Sequence, residues 1–136
     1  MQVSEVMHKG VSTVQISDTI KKVAALMKRE DIGAVPVFKN ERPVGFVTDR
    51  DIVVSCVANG HESTEPISLA MTSEIFSIQE NDELALAAKI MREKQISRLL
   101  VVDENETPVG MLSLQDITKH PDRNVDAVDT LTEIKR

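Results

Sequence analysis

Apolar positions first fall into a helical rhythm at Ile20, Val23, Ala24 and Met27, spaced i, i+3, i+4 and i+7. Leu84, Ala87, Ala88 and Met91 repeat that spacing, so two amphipathic helices are predicted. Ser17/Asp18 and Asn81/Asp82 supply short polar side chains suited to cap their N-termini. Each helix is followed by an unbroken apolar run, 34–38 and 99–102, of strand length and fit for burial on both faces. Turn-forming residues occupy 40–43 and 103–108, and second strands are predicted at 44–47 and 109–112. A second helix follows in each case, over 49–58 and, shorter, over 114–119. Upstream lie short strands at 12–15 and 75–78 and helical lead-ins at 3–7 and 66–71. Pro36 has no N–H to give, so it argues against a fully hydrogen-bonded position in its strand.

These elements form one pattern written twice. At an offset of 64 residues Met7 meets Met71, Asp18 meets Asp82, Ala24 meets Ala88, Met27 meets Met91, Ile32 meets Ile96 and Val37 meets Val101. One inserted residue in the 103–107 turn makes the offset 65, and Pro43, Val44, Gly45, Asp51 and Ile52 then meet Pro108, Val109, Gly110, Asp116 and Ile117. One phase, broken once in a loop, is the mark of a duplication. The unit is β-α-β-β-α and the fold class α/β, with two sheets expected to pack together because neither copy buries enough surface alone. The expected layout is repeat 1 with its lead-in over 1–58, a polar linker over 59–66, repeat 2 over 67–120 and a tail over 121–136. In that tail Val125, Val128, Leu131 and Ile134 suggest a weak helix.

Composition narrows the function classes. The chain has no Trp, no Tyr and three Phe, so aliphatic residues and Met must build the core. A net charge of -6 argues against a nucleic-acid partner. Cys56 is the sole cysteine, which suits a reducing cytoplasm, and no apolar run is long enough to span a membrane. His8, His61 and His120 lack metal-ligand spacing, and no nucleophile or acid/base motif is present, so neither a metal site nor an enzyme is expected. Cys56, beside Val53, Val54 and Val57, reads as a packed small hydrophobe.

The stretches 32–37 (IGAVPV) and 44–52 (VGFVTDRDI), mirrored by 96–103 (ISRLLVVD) and 109–117 (VGMLSLQDI), closely resemble the CBS (cystathionine β-synthase) domain. The second copy is also similar to the nucleotide-binding repeats of the AMP-activated kinase γ subunit. The resemblance covers residues 3–119 and occurs twice in order. It implies a stand-alone Bateman module: two repeats about a pseudo-twofold axis, two clefts between them, and a homodimer shaped as a flat disc.

Thr48-x-x-Asp51 and Ser113-x-x-Asp116 admit two readings from their residues. As structure, each is a capping box for the helix that follows. As chemistry, a helix N-terminus can receive a phosphate and a carboxylate one turn in can accept two ribose hydroxyls. The resemblance favours the second, with Asp51 and Asp116 on the ribose beside Thr48 and Ser113. It further implies that each cleft is shared: Asp116 and Ser113 with the 32–34 backbone, Ser12 and Arg50, and Asp51 and Thr48 with Ile96, Ser97, Arg98 and Gln115. Ser12, Ile32, Gly33, Ala34, Ile96 and Ser97 would then line the adenine, and Arg50, Arg98 and Gln115 would meet phosphate. Arg50 and Arg98 read equally as solvated surface arginines. Because the first copy has Gly33-Ala34 where the second has Ser97-Arg98, the two clefts need not bind alike.

The function so implied is a regulatory sensor of adenosyl compounds (AMP, ADP, ATP or S-adenosylmethionine) that requires no cofactor and acts in trans on an effector protein. The competing reading is a dimerisation and interaction module whose two aspartates only cap helices.

Overall fold

A computed structural model describes residues 1–119. The histidine at position 120 and the tail expected to form a weak helix lie outside the described residues. The architecture is mixed α/β with two separate sheets.

The compact units are not the repeats as they run along the chain. One consists of Ser12–Ile75, the other of Met1–Val11 with the described residues from Phe76 onward. Each lead-in therefore packs on the other copy's elements, whereas the sequence layout attached residues 1–11 to the first copy.

In the first unit, β2 (Val14–Gln15) runs parallel to β3 (Ala34–Lys39), which pairs antiparallel with β4 (Arg42–Thr48). The helix α1 (Ile20–Glu30) buries Ile20, Val23 and Met27 against this sheet's core. Ala24 is exposed, although its counterpart Ala88 is buried, so the α1 stripe is narrower than its spacing predicts. In the second unit the sheet order is β1-β7-β6-β5, with β1 (His8–Lys9), β5 (Ser77–Gln79), β6 (Arg98–Val102) and β7 (Pro108–Ser113). The helix α3 (Leu84–Lys94) buries Leu84, Ala87, Ala88 and Met91. Val35 and Val37 in one copy, and Leu99 and Val101 in the other, join their unit's core from alternate strand positions. The intervening Pro36, Phe38, Leu100 and Val102 are buried too, as the unbroken apolar runs predict.

The caps differ from expectation. Thr19, not Ser17 or Asp18, caps α1 by accepting from Lys22 N–H, and Glu83 stands at the cap of α3 without a side-chain bond. Asp18 and Asp82 instead accept from Gln15 N–H (2.8 Å) and Gln79 N–H (3.0 Å), closing the turns that leave β2 and β5. The first-turn N–H groups of Ile20 and Leu84, which have no partner within their helices, are met by main chain, at Glu65 O (2.9 Å) and Met1 O (2.8 Å). Residues 1 and 65 are sixty-four apart. The two lead-ins thus perform one task on opposite copies.

That exchange explains two glycines. His8 pairs with Met111 and Lys9 with Gly110, while in the other unit Phe46 exchanges hydrogen bonds with Thr72. A Cβ on Gly110 would lie 2.5 Å from His8 O, and one on Gly45 would overlap Thr72 O. Only glycine admits the crossing backbone. Pro36 is accommodated by the same register. Its partner Phe46 turns both main-chain polar groups toward Thr72, so nothing on β4 awaits a proton from Pro36. On the other side the β2 pairing begins only at Val37, and the bond that Leu100 N–H makes to Phe76 O (3.0 Å) in the second copy has no counterpart between Pro36 and Ser12.

Candidate ligand site

In each copy the second strand leads directly into a short helix. The first continues from α2 (Asp49–Asp51) into a wider π-helical stretch, Ile52–Val57, and the second is α4 (Leu114–Thr118). Both begin with a capping box. Thr48 N–H donates to Asp51 Oδ2 (2.9 Å) and Asp51 N–H to Thr48 Oγ1 (3.0 Å). Ser113 N–H donates to Asp116 Oδ2 (2.9 Å) and Asp116 N–H to Ser113 Oγ (3.2 Å). The structural reading of the motif is therefore correct, and it uses one oxygen of each carboxylate. Both carboxylates are half-buried, and among the described residues neither Oδ1 accepts a hydrogen bond. The cap fixes the carboxylate's direction and itself occupies only half the accepting capacity.

The turn lies against the helix-to-strand loop of its own copy. Asp49 N–H donates to Gly33 O (3.0 Å) and Leu114 N–H to Ser97 O (2.8 Å), while Ala34 pairs with Thr48 and Arg98 with Ser113. The loop is shaped by the preceding helix end, where Asp31 (φ 53°) and Gln95 (φ 55°) adopt the left-handed conformation. Ile32 N–H then reaches back to Met27 O and Ile96 N–H to Met91 O, both at 3.0 Å.

The structure thus gathers Thr48, Arg50 and Asp51 with Ile32, Gly33 and Ala34, and Ser113, Gln115 and Asp116 with Ile96, Ser97 and Arg98. Ile96 is buried, Ile32, Ala34, Ser97 and Arg98 are half-buried, and Gly33, Arg50 and Gln115 are exposed. The Arg98 guanidinium lies 3.5 Å from Ser97 Oγ. Ser12 donates to the Glu30 carboxylate at the end of α1, immediately before the loop. At the matching place in the second copy, Lys94 Nζ sits 5.5 Å from the centroid of the Phe76 ring. Glu30, Phe76 and Lys94 were not among the sequence candidates.

Asp18 and Cys56, outside the two capping turns, titrate away from their ordinary values. Burial pushes the Asp18 carboxyl up, but the Gln15 N–H and the Lys22 ammonium together outweigh it and hold the group below the usual range. Burial, with the Glu65 carboxylate second, pushes the Cys56 thiol up, which suits a packed side chain rather than a nucleophile. Among the described residues no group of three or more His, Cys, Asp or Glu could hold a metal ion. No helix among them is long and apolar enough to cross a membrane.

Two capping turns in two copies of one β-α-β-β-α unit define a class, and comparison with known proteins gives its name. The CBS domain family matches residues 3–57 and 67–123, and this chain belongs to it. Among curated relatives, CBS domain-containing protein YhcV of Bacillus subtilis is 36% identical over 97% of this chain and 94% of its own length. A homoserine O-acetyltransferase of Methanococcus vannielii is 35% identical over 85% of this chain, which spans only 24% of that enzyme. Among solved structures, hypoxic response protein I with two coordinated zinc ions is 30% identical, with a TM-score of 0.72 over 88% of this chain and 98% of its own. Protein PAE2072 of Pyrobaculum aerophilum, complexed with AMP, is 24% identical with a TM-score of 0.77 over 97% and 99%. The CBS domain pair of MJ0100, in complex with 5′-methylthioadenosine and S-adenosyl-L-methionine, is 23% identical with a TM-score of 0.72 over 88% and 94%.

Proposed function

We propose that the chain is a regulatory ligand-sensing module, not an enzyme, which binds an adenosyl compound at its two strand-to-helix turns. The observation that carries this reading is the half-used carboxylate in each capping box, Asp51 and Asp116, whose Oδ1 accepts no hydrogen bond among the described residues and whose direction is fixed. A ribose offers two vicinal hydroxyls, and a carboxylate is the natural acceptor for them. PAE2072 with AMP, and MJ0100 with methylthioadenosine and S-adenosylmethionine, hold ligands whose shared chemistry is the adenosyl group.

On this reading Thr48 and Ser113 orient the two ribose-binding aspartates, and Ser12, Ile32, Gly33, Ala34, Ile96 and Ser97 supply apolar surface and main-chain groups to adenine. Arg50, Arg98 and Gln115 meet phosphate. The ligand would act by favouring one arrangement of a cytoplasmic homodimer, read in trans by an effector protein. A second reading has specific support, because the capping boxes already give both aspartates a structural task. Under it the chain is an interaction module without a ligand.

A spectrum and a melt separate the two readings. With no Trp or Tyr, the purified chain should be nearly transparent in the near ultraviolet, so any adenine band marks a retained nucleotide. AMP, ADP, ATP or S-adenosylmethionine at about 100 times its dissociation constant should add about 2.7 kcal/mol, a rise of roughly 5–10 °C in Tm. No band, and no shift with any of the four, would leave only the interaction module.

A further inference from the structure

We propose that the two copies discriminate ligands by charge, so that a phosphate-bearing adenosyl compound is held more tightly at the second copy's loop than at the first. This rests on the adenosyl-binding reading and says which chemistry each place takes. The evidence is a pair of contacts at equivalent positions. Residues 12 and 76 are sixty-four apart, as are 30 and 94, the last residues of α1 and α3. In both copies a residue one or two places ahead of the strand before the helix holds the side chain that ends the helix, directly before the candidate loop.

The held groups carry opposite charge. In the first copy the Ser12 hydroxyl donates to the Glu30 carboxylate. In the second the Lys94 ammonium rests over the Phe76 ring, whose side chain packs on the unit's buried core. A core-anchored ring attracts a cation and limits where an otherwise free lysine can point. Phe76 is thus a positioning residue for Lys94, as Ser12 is for Glu30. The Arg29 guanidinium lies 3.6 Å from the Glu30 carboxylate, so part of the negative charge there is answered locally. The loop charges reinforce the difference. The span 28–34 (KREDIGA) is neutral, whereas the equivalent span 92–98 (REKQISR) carries a net charge of +2, because the changes from Glu30 to Lys94, Asp31 to Gln95 and Ala34 to Arg98 outweigh the one from Arg29 to Glu93. Loop 96–98 is tied to the Ser113–Asp116 turn through Ser97 O, so these cations border a candidate turn within one unit. A phosphate is drawn more strongly to that loop than to one with a carboxylate at its mouth.

Calorimetry with ADP and adenosine as probes tests this on the full chain. Wild type should bind ADP at one strong site per chain, whereas adenosine shows no such preference. Lys94→Glu, an exposed exchange that copies the first repeat, should weaken ADP roughly tenfold and leave adenosine unchanged. Phe76→Leu, which keeps an apolar side chain on the core, should weaken ADP by about threefold through loss of the lysine's support. Glu30→Lys should create a second strong ADP site. If wild type binds both probes but neither Lys94→Glu nor Phe76→Leu alters the ratio of their affinities, the charge assignment is wrong and the adenosyl reading stands. If wild type binds neither probe, both fall.

Discussion

Replacing Gly45 by Ala should destabilise the fold through the exchanged lead-in rather than through β4 itself. A Cβ there overlaps Thr72 O, a main-chain atom that no rotamer change can move aside. The 71–73 backbone must retreat, and both Phe46–Thr72 hydrogen bonds, 3.1 and 2.8 Å, would be lost or stretched. At about 0.5–1.5 kcal/mol for each bond, the cost is about 1–3 kcal/mol. For a chain of this size that lowers Tm by roughly 3–10 °C. Gly110→Ala should behave alike, because its Cβ would meet His8 O at 2.5 Å and Met7 Sδ at 2.8 Å. Gly33→Ala is the control. Its Cβ would lie 3.3 Å from an Asp49 side-chain oxygen, and that side chain can shift. Thermal melts followed by far-ultraviolet circular dichroism supply the measurement. If Gly45→Ala and Gly110→Ala both melt within about 1 °C of wild type, the lead-ins do not cross those strands as described.

Three further outcomes follow from local geometry. Asp31→Gly and Gln95→Gly relieve left-handed backbone at exposed helix ends and should each raise stability by about 0.5–1 kcal/mol, read by urea denaturation. Asp18 has a lowered folded pKa, so it contributes stability above its unfolded value that is lost as pH falls through the folded one. Asp18→Asn should therefore weaken the protein at neutral pH and flatten its loss of stability below about pH 4, in melts taken across the acid range. Cys56, buried with its thiol pKa raised, should react with a thiol reagent only as fast as the protein opens, and at full rate in denaturant.

The duplication, both amphipathic helices, the strand runs and the two capping turns were all legible in the sequence, because each is a local pattern repeated in phase. The exchange of lead-ins was not, since periodicity says which face of an element is apolar and not which copy it covers. A signal for it was present in Gly45 and Gly110, glycines inside strand patterns where another backbone passes close. The caps were misplaced by one or two residues for a related reason. An aspartate before a helix can serve the helix or close the preceding turn, and spacing does not distinguish the two, as Asp18 and Asp82 show. The pairings Ser12–Glu30 and Phe76–Lys94 join residues 18 apart and obey no periodicity. Only the folded strand and helix ends bring them together.

The central claim is that Asp51 and Asp116 cap with one oxygen and bind with the other, and an asparagine at each position separates the two tasks. Asn keeps a carbonyl oxygen to accept the cap's N–H but puts a donor where the open carboxylate oxygen stands. In a thermal shift titration with AMP, the account predicts that Asp51→Asn with Asp116→Asn melts within about 3 °C of wild type when ligand-free and loses the ligand-induced rise. A double variant that still rises with AMP as wild type does would contradict it, as would a wild-type protein that no adenosyl compound shifts.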